Sequence, residues 1–197
     1  GYYPGAKVMT MKVVFEKDTW KLLGAQIVGT EGVDKRLDVL ATAMHAGMKA
    51  NMLKDLDLAY APPFSSAKDP VNMAGFMIEN IRNGFVKQYH WDEIAGLPRD
   101  GSVTLLDTRT AYEYKSGHID GYINIPVDDL RDQLNELDRS KPVYVICQSG
   151  LRSYIACRIL SQNGFDCYNF SGGYRFYASV IKEKEMSEYT YPCGMEK

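Results

Sequence analysis

The sequence predicts an α/β protein whose second half folds as a doubly wound parallel sheet. Residues 103–106 and 143–146 are short, almost entirely apolar and bounded by polar residues, as strands buried on both faces of a parallel sheet require. Helical patterns alternate with these strands, and such alternation implies right-handed β-α-β crossovers. Residues 1–84 instead carry two successive strand patterns followed by helices, which predicts a smaller α+β domain ahead of the sheet.

In this first domain, residues 7–15 and 20–28 are rich in β-branched and aromatic side chains and predict a hairpin. From Asp34 onward, apolar residues recur at the spacing of an amphipathic helix. A second helix is predicted to begin at the Asp-Pro pair 69–70, because aspartate caps a helix N-terminus and proline suits its first position. That helix is predicted to end at Gly84.

The second domain is expected over residues 85–182, with residues 183–197 as a charged tail. Two weaker strands complete its sheet, at residues 121–126 and 166–170. Helices are predicted at residues 91–95, 128–137 and 152–163. Ligands of such sheets bind beyond the carboxyl ends of the strands, so the residues that follow each strand are the candidates for function.

Composition excludes several partners of this chain. A net charge of −2 over 197 residues lacks the basic excess that nucleic acid requires, and no apolar run approaches the roughly 18 residues that span a bilayer. Four cysteines without a C-x-x-C pair, and three histidines without a nearby second ligand, predict no metal site and a protein of the reducing cytoplasm. The first residue is glycine rather than methionine, and we expect this sequence to be part of a longer protein.

The segment with the clearest chemistry is residues 147–153 (CQSGLRS). Cys147 stands where a buried strand ends, and a short loop with a glycine leads from it into a helix N-terminus. Inward N–H groups, the helix dipole and the charge of Arg152 all favour the reactive thiolate. We therefore predict that Cys147 is a nucleophile, although a buried structural cysteine is the alternative. The predicted anion-binding loop consists of Gln148, Ser149, Gly150, Leu151, Arg152 and Ser153.

The length of this loop bears on the electrophile. Cysteine phosphatases have a similar site with a C-x5-R loop that wraps a phosphate dianion, whereas the spacing from Cys147 to Arg152 is C-x4-R. A loop that is one residue shorter has fewer inward amides, which suits a single sulfur atom better than a tetrahedral phosphate. A phosphatase is therefore disfavoured.

Residues 85–182 resemble a rhodanese domain along their whole length. The resemblance rests on residues 105–109 (LLDTR), on Glu113 followed by residues 117–126 (GHIDGYINIP), on the loop 147–152 and on residues 171–173 (SGG). It implies a rhodanese-like sheet in which Cys147 accepts sulfur as a persulfide from a small-molecule donor and passes it to a thiol acceptor. The sequence departs from the pattern at Gln148, where arginine is frequent, which implies weaker attraction for thiosulfate and favours a neutral or organic donor.

The supporting residues have modest predicted roles. Asp107 and Arg109 are expected to form a structural ion pair or cap that steadies the loop. His118 is expected to be a hydrogen-bonded turn residue rather than a general base, because an attacking thiolate needs little base catalysis. Cys157 and Cys167 are expected in the core, and Cys193 in the tail.

Residues 2–84 resemble the C-terminal dimerisation domain of pyridine nucleotide–disulfide oxidoreductases, in the branch of coenzyme A-disulfide and persulfide or polysulfide reductases. The resemblance is carried by residues 2–6 (YYPGA), 23–26 (LGAQ), 32–36 (GVDKR) and 60–72 (YAPPFSSAKDPVN). It implies self-association through residues 1–84 and contributions of Tyr60, and secondarily Tyr3, to the partner subunit's reductase site. It also implies a parent flavoprotein that uses FAD, NAD(P)H and coenzyme A. Because no G-x-G-x-x-G follows a strand, we expect no cofactor in this chain itself.

Two other classes of function stay open at this point. One is an inactive rhodanese fold that serves as a binding or redox-sensing module, with Cys147 alkylated readily but without turnover. The other is a small-oxyanion enzyme of the arsenate reductase type, which would need a resolving cysteine near Cys147.

Overall fold

The computed structural model describes residues 3–187, which divide into a first unit ending at Gly84 and a second unit beginning at Phe85. Each unit is built around its own buried apolar residues. No helix among residues 3–187 is long and apolar enough to cross a membrane.

The first unit is a hairpin packed against helices. Strand β1 (Met9–Phe15) runs antiparallel to β2 (Leu22–Gly29), and they are followed by α1 (Val33–His45), a 3-10 helix (Ala50–Asp55) and α2 (Pro70–Arg82). Their buried side chains form one cluster, contributed by Leu22, Ile27, Leu40, Ala43, Ala50, Leu53, Val71 and Ile78. The predicted hairpin and both predicted helices are present.

The start of α2 is determined by its capping residues. The Asp69 carboxylate accepts a hydrogen bond from the Val71 N–H at 3.0 Å, and the Asn72 side chain accepts one from the Asp69 N–H at 3.1 Å. Such reciprocal bonds satisfy amides that a helix N-terminus otherwise leaves unpaired. Asp69 also pairs with the buried Arg36 at 3.0 Å, which ties α2 to α1.

The second unit contains a five-stranded, wholly parallel sheet in the order β3-β7-β6-β4-β5, as the predicted α/β class requires. Its strands are β3 (Lys87–Tyr89), β4 (Thr104–Asp107), β5 (Ile123–Asn124), β6 (Val143–Ile146) and β7 (Cys167–Phe170). Its helices are α3 (Ala111–Ser116), α4 (Leu151–Gln162) and α5 (Gly173–Ser187).

Both faces of this sheet are covered, as the apolar strands predicted. Successive residues of the central strand β6 point to opposite faces. Val143 and Val145 pack with the α4 residues Ala156 and Leu160, whereas Ile146 packs in a second cluster rich in tyrosine on the other face. The covered sheet places the end of β6 at the centre of the unit.

Three predictions about secondary structure, two helices and the start of the tail, are wrong in part. Residues 91–95 form only a 3-10 helix at Ile94–Gly96, and residues 128–137 form turns with a 3-10 helix at Leu134–Glu136. Strand β3 and helix α5 were not predicted, and α5 continues through residues 183–187, which were expected to belong to the tail.

Candidate active site

Cys147 follows the last residue of β6, and only 1% of its surface is exposed. The Gly150 N–H donates a hydrogen bond to the Cys147 sulfur at 3.1 Å, and the Ser153 hydroxyl donates a second at 3.2 Å. Gly150 precedes α4 with a φ of 102°, in the left-handed region that favours glycine. Two donors and a helix N-terminus therefore converge on the sulfur, and all three stabilise negative charge there.

Helix α5 orients the backbone of the loop that follows Cys147. The Cys147 carbonyl accepts a hydrogen bond from the Tyr174 N–H at 2.7 Å, and the Gln148 carbonyl accepts one from the Arg175 N–H at 3.2 Å. In a trans peptide the N–H and C=O point in opposite directions. The N–H groups of Gln148 and Ser149 are therefore directed away from α5, so the loop's carbonyls face the helix and its amides do not.

Gly173 lets α5 approach the loop closely. A Cβ atom on Gly173 would lie 2.5 Å from the Ser149 nitrogen and 2.6 Å from the Gln148 carbonyl carbon, and the φ of Gly173 is +70°. Backbone atoms cannot swing aside as a flexible side chain can, so any residue with a side chain here must displace the loop. From the sequence, Gly173 is predicted only to belong to the motif at residues 171–173, with no contact of its own.

Arg152 is held by a carboxylate. Its two terminal nitrogens donate to the two oxygens of Glu113 at 2.7 Å each, in the bidentate geometry that arginine favours. Glu113 is in turn fixed by Thr110, whose N–H and hydroxyl donate to it at 2.9 and 3.0 Å as part of the α3 capping box. The Arg152 hydrogen bonds, followed by those of Thr110, lower the pKa of Glu113 to about 2 against the opposing effect of burial. Arg152 thus contributes much less net positive potential to the loop than the sequence alone predicts.

A second ion pair lies beneath the site. The Arg109 guanidinium donates to both Asp107 oxygens at 2.7–3.1 Å, and both residues are at most 2% exposed. Arg109 also donates to the Gly117 carbonyl at 2.7 Å and lies 3.9 Å from the centre of the Tyr174 ring. The pair therefore connects the end of β4 with the first turn of α5, although the proposed supporting role in sulfur chemistry stays a prediction.

Asn169, on β7, is a residue near the site that the sequence did not single out. Its amide nitrogen donates to the Gly150 carbonyl at 3.3 Å, so it supports the loop from below. Its side-chain oxygen is buried and has no hydrogen-bond partner among residues 3–187. A single asparagine inside a strand gives no sequence signal for such a contact.

The remaining predicted residues are more peripheral. His118 is exposed, its Nδ1 lies 3.1 Å from the Tyr114 carbonyl oxygen, and its ring stacks on Tyr114 at 4.0 Å between ring centres. Leu151 is 63% exposed at the start of α4. In the first unit, Tyr3 and Tyr60 are about half exposed, at 48% and 54%, and their roles in a reductase site stay predictions.

The other cysteines have different surroundings. Cys157 and Cys167 are buried, and the Cys167 thiol donates to the Cys157 carbonyl at 3.3 Å. The hydrogen bond with Cys167, together with burial, raises the pKa of the Cys157 thiol. Cys193 lies outside the described residues. Within residues 3–187, no group of three histidine, cysteine, aspartate or glutamate side chains is placed to hold a metal ion.

Each of the two units of this chain is similar to a known domain. The pyridine nucleotide-disulphide oxidoreductase dimerisation domain matches residues 1–71, and the rhodanese-like domain matches residues 90–179. The crystal structure of reduced CoADR-RHD from Bacillus anthracis is 48% identical over 93% of this chain, with a TM-score of 0.89. The chain is therefore similar to the C-terminal part of the rhodanese-fused coenzyme A disulfide and persulfide reductases, with a dimerisation domain followed by a rhodanese-like domain.

Two further reductases are similar to this chain. The NAD-dependent persulfide reductase from A. fulgidus is 39% identical over 89% of the chain, with a TM-score of 0.77. The coenzyme A disulfide reductase of Staphylococcus epidermidis is 46% identical over 76 residues, or 39% of the chain. The chain spans only 33% and 31% of the two solved structures and 17% of the Staphylococcus reductase.

Residues 3–187 do not supply the glycine-rich turn that holds a dinucleotide such as FAD. The first unit contains one antiparallel hairpin, and the residues that the structure describes include no parallel strand there that leads into a glycine-rich helix N-terminus. The loop of the second unit that does lead from a parallel strand into a helix is occupied by Cys147. The described residues therefore do not fit a dinucleotide.

Proposed function

We propose that the second unit is a sulfurtransferase in which Cys147 accepts a sulfane sulfur atom and passes it to a thiol. The observation that carries this proposal is the pair of donors on the Cys147 sulfur, the Gly150 N–H at 3.1 Å and the Ser153 hydroxyl at 3.2 Å. Both favour the thiolate that attacks a sulfur donor.

Each half of the cycle exchanges one S–S bond. The Cys147 thiolate attacks the outer sulfur of the donor, a new S–S bond forms, and the donor's remaining part leaves with the electron pair of the old bond. An acceptor thiolate then attacks the outer sulfur of the Cys147 persulfide and restores the thiolate of Cys147. No net oxidant or reductant is consumed, and the loop amides stabilise the anionic persulfide between the two steps.

The acceptor and the further fate of the sulfur lie in the longer protein. We propose coenzyme A as the thiol acceptor, in keeping with the disulfide and persulfide reductases that the chain resembles, and self-association through residues 1–84. Reduction by NAD(P)H through FAD belongs to parts of the protein outside this chain. We expect the protein to reside in the cytoplasm.

The test is mass spectrometry of the reduced chain after brief exposure to a polysulfide. We expect one added sulfur atom on the Cys147 peptide, removed by cyanide or by excess thiol, and no such addition in Cys147→Ser. The Cys157→Ser variant is the matched control, because Cys157 is also buried but lies within α4 rather than in the loop, and it should be labelled normally at Cys147.

The same experiment separates the other functions. A chain whose Cys147 is alkylated rapidly but never carries sulfur would be a sensor or binding module. Steady reduction of arsenate would instead indicate an oxyanion reductase. Against that function, Cys157 and Cys167 are both buried, and the Cys167 thiol donates to the Cys157 carbonyl.

A further inference from the structure

Two arginines of the second unit, one in the active-site loop and one after β4, are neutralised by carboxylates. Arg152 is paired with Glu113 through two hydrogen bonds of 2.7 Å, and Arg109 is paired with Asp107. The loop itself adds no charged side chain between Cys147 and Arg152. The attraction for an anion therefore comes from amide and hydroxyl dipoles rather than from a full positive charge.

Glu113 is fixed in the position where it cancels the charge of Arg152. The capping box of α3 holds the Glu113 carboxylate through Thr110, so the orientation of this carboxylate does not depend on Arg152 alone. The Arg152–Glu113 pair is about 30% exposed, so it lies partly out of water, where charge interactions are stronger than at an open surface. The pKa of Arg152 is raised chiefly by Glu113 and to a smaller extent by Cys147 and Asp107, which places Cys147 within electrostatic range of this pair.

Arg175 is a further cation whose backbone contacts the loop. Arg175 donates its backbone N–H to Gln148, but its side chain is exposed, where water and salt screen its charge. A sulfur donor that carries two negative charges thus meets dipoles, a screened arginine and the fixed carboxylate of Glu113.

We propose that Glu113 is a specificity-determining residue that selects sulfur donors by their charge. By holding Arg152 in a neutral pair, it disfavours the thiosulfate dianion and leaves uncharged hydropersulfides as the preferred electrophiles. This inference rests on the sulfurtransferase function proposed above. Glu113 acts on the donor through Arg152 and through its own charge, and is not itself a reacting group.

The donors differ in charge but undergo the same exchange. With thiosulfate, the Cys147 thiolate takes the outer sulfur and sulfite leaves with the electron pair of the broken S–S bond, so three negative charges enter and three leave. With an alkyl hydropersulfide in its uncharged form, the thiolate takes the outer sulfur with its proton, and an alkyl thiolate leaves. An alkyl thiosulfonate, which releases a sulfinate, carries one negative charge and is the intermediate case.

The experiment measures kcat/KM of the full 197-residue chain for these three donors, with cyanide as acceptor. Glu113→Gln retains a residue that suits a capping box but removes the negative charge. We expect kcat/KM to rise about tenfold for thiosulfate and about threefold for the thiosulfonate, and to stay within about twofold for the hydropersulfide. The differences should shrink as salt is added, because salt screens charge but not shape.

Two further variants make the result decisive. Glu136→Gln removes the same charge from an exposed residue that precedes β6, at the opposite end of the strand from Cys147. This variant should leave all three kcat/KM values unchanged. Gln148→Arg adds a positive charge to the loop without touching Glu113, so it should reproduce the charge-graded gain even if Glu113→Gln folds poorly. Circular dichroism and urea unfolding establish that each variant is folded.

The outcomes separate the two proposals. A wild-type chain that takes sulfur from the hydropersulfide, with no charge-graded change in a folded Glu113→Gln variant or, where that variant does not fold, in Gln148→Arg, would overturn the role of Glu113 and leave the sulfurtransferase function standing. A wild-type chain that takes sulfur from none of the three donors would overturn both.

Discussion

Replacing Gly173 with alanine tests whether α5 holds the active-site loop by close approach. The new Cβ would lie 2.5 Å from the Ser149 nitrogen, whereas ordinary contacts begin at 3.4 Å, so the loop backbone must retreat by about 0.9 Å. The Gly150 N–H lies 3.1 Å from the Cys147 sulfur, and a shift of that size is enough to weaken this hydrogen bond. We expect sulfur transfer to fall by about a hundredfold, which is the usual cost of a 1 Å misplacement at a reacting centre.

The same substitution also strains the backbone, and a control separates the two effects. The φ of Gly173 is +70° and that of Gly164 is +82°, but a Cβ at Gly164 meets nothing within 4 Å. Each alanine should therefore cost about 1–2 kcal/mol of unfolding free energy from the left-handed backbone alone. Only Gly173→Ala should lose more than this, because only it also displaces the loop.

The assays are urea unfolding for stability and single-turnover formation of the Cys147 persulfide for activity. Gly164→Ala should transfer sulfur at the wild-type rate despite its lower stability. If Gly173→Ala also transferred sulfur at that rate, the contact between α5 and the loop would not determine the geometry of the site.

Three further predictions concern the ion pairs. Asp107→Asn should lower the unfolding free energy by about 3–5 kcal/mol in urea, because it leaves the buried Arg109 without its carboxylate, and a loss below about 1 kcal/mol would contradict the importance of that pair. Asp69→Ala should destabilise the chain by about 3 kcal/mol, measured as a lower urea midpoint, because it removes the cap of α2 and leaves the buried Arg36 unpaired; an unchanged midpoint would refute this. The pKa of Glu113 is lowered from 4.5 to about 2 in the folded chain, so its stabilising contribution is complete above pH 4.5 and is lost as the pH falls towards 2. Unfolding curves of Glu113→Gln should therefore depend less on pH in this window than those of the wild type, and equal pH dependence would argue against the pair.

Features encoded in short, contiguous stretches were predictable from the sequence. The apolar run of β6, the helix after Gly150 and the capped start of α2 at Asp69 each depend on neighbouring residues whose preferences agree. The parallel sheet follows from the alternation of such segments, so the fold class was predicted correctly. The site cysteine could be proposed because the strand end, the glycine and the helix start are adjacent in the chain.

Contacts between distant residues were not predictable in this way. Glu113 and Arg152 are 39 positions apart, and only the folded sheet brings them together. The close approach of Gly173 to Ser149 is equally a property of the tertiary structure. A glycine in a motif shows that flexibility or space is needed, but not which atoms would clash.

The incorrect helix at residues 128–137 has a local explanation. Leu130 and Leu137 are buried and have the spacing of a helix face, which is why the pattern predicted one. Three aspartates and an asparagine lie within the same ten residues. Their side chains compete for backbone hydrogen bonds and favour turns, so the leucines reach the core from turns instead of from a regular helix.

The hydrogen bonds from α5 to the carbonyls of Cys147 and Gln148 couple the chemistry of the loop to the opening of a helix. The amides of Tyr174 and Arg175 can exchange their hydrogens with solvent only when those carbonyls release them. Whatever stabilises the closed loop, such as a bound sulfur atom on Cys147, must by thermodynamic linkage slow exchange at these two amides. The first turn of α5 is therefore a built-in reporter of the state of the cysteine, which can be followed in the unmodified chain without any label on the sulfur itself.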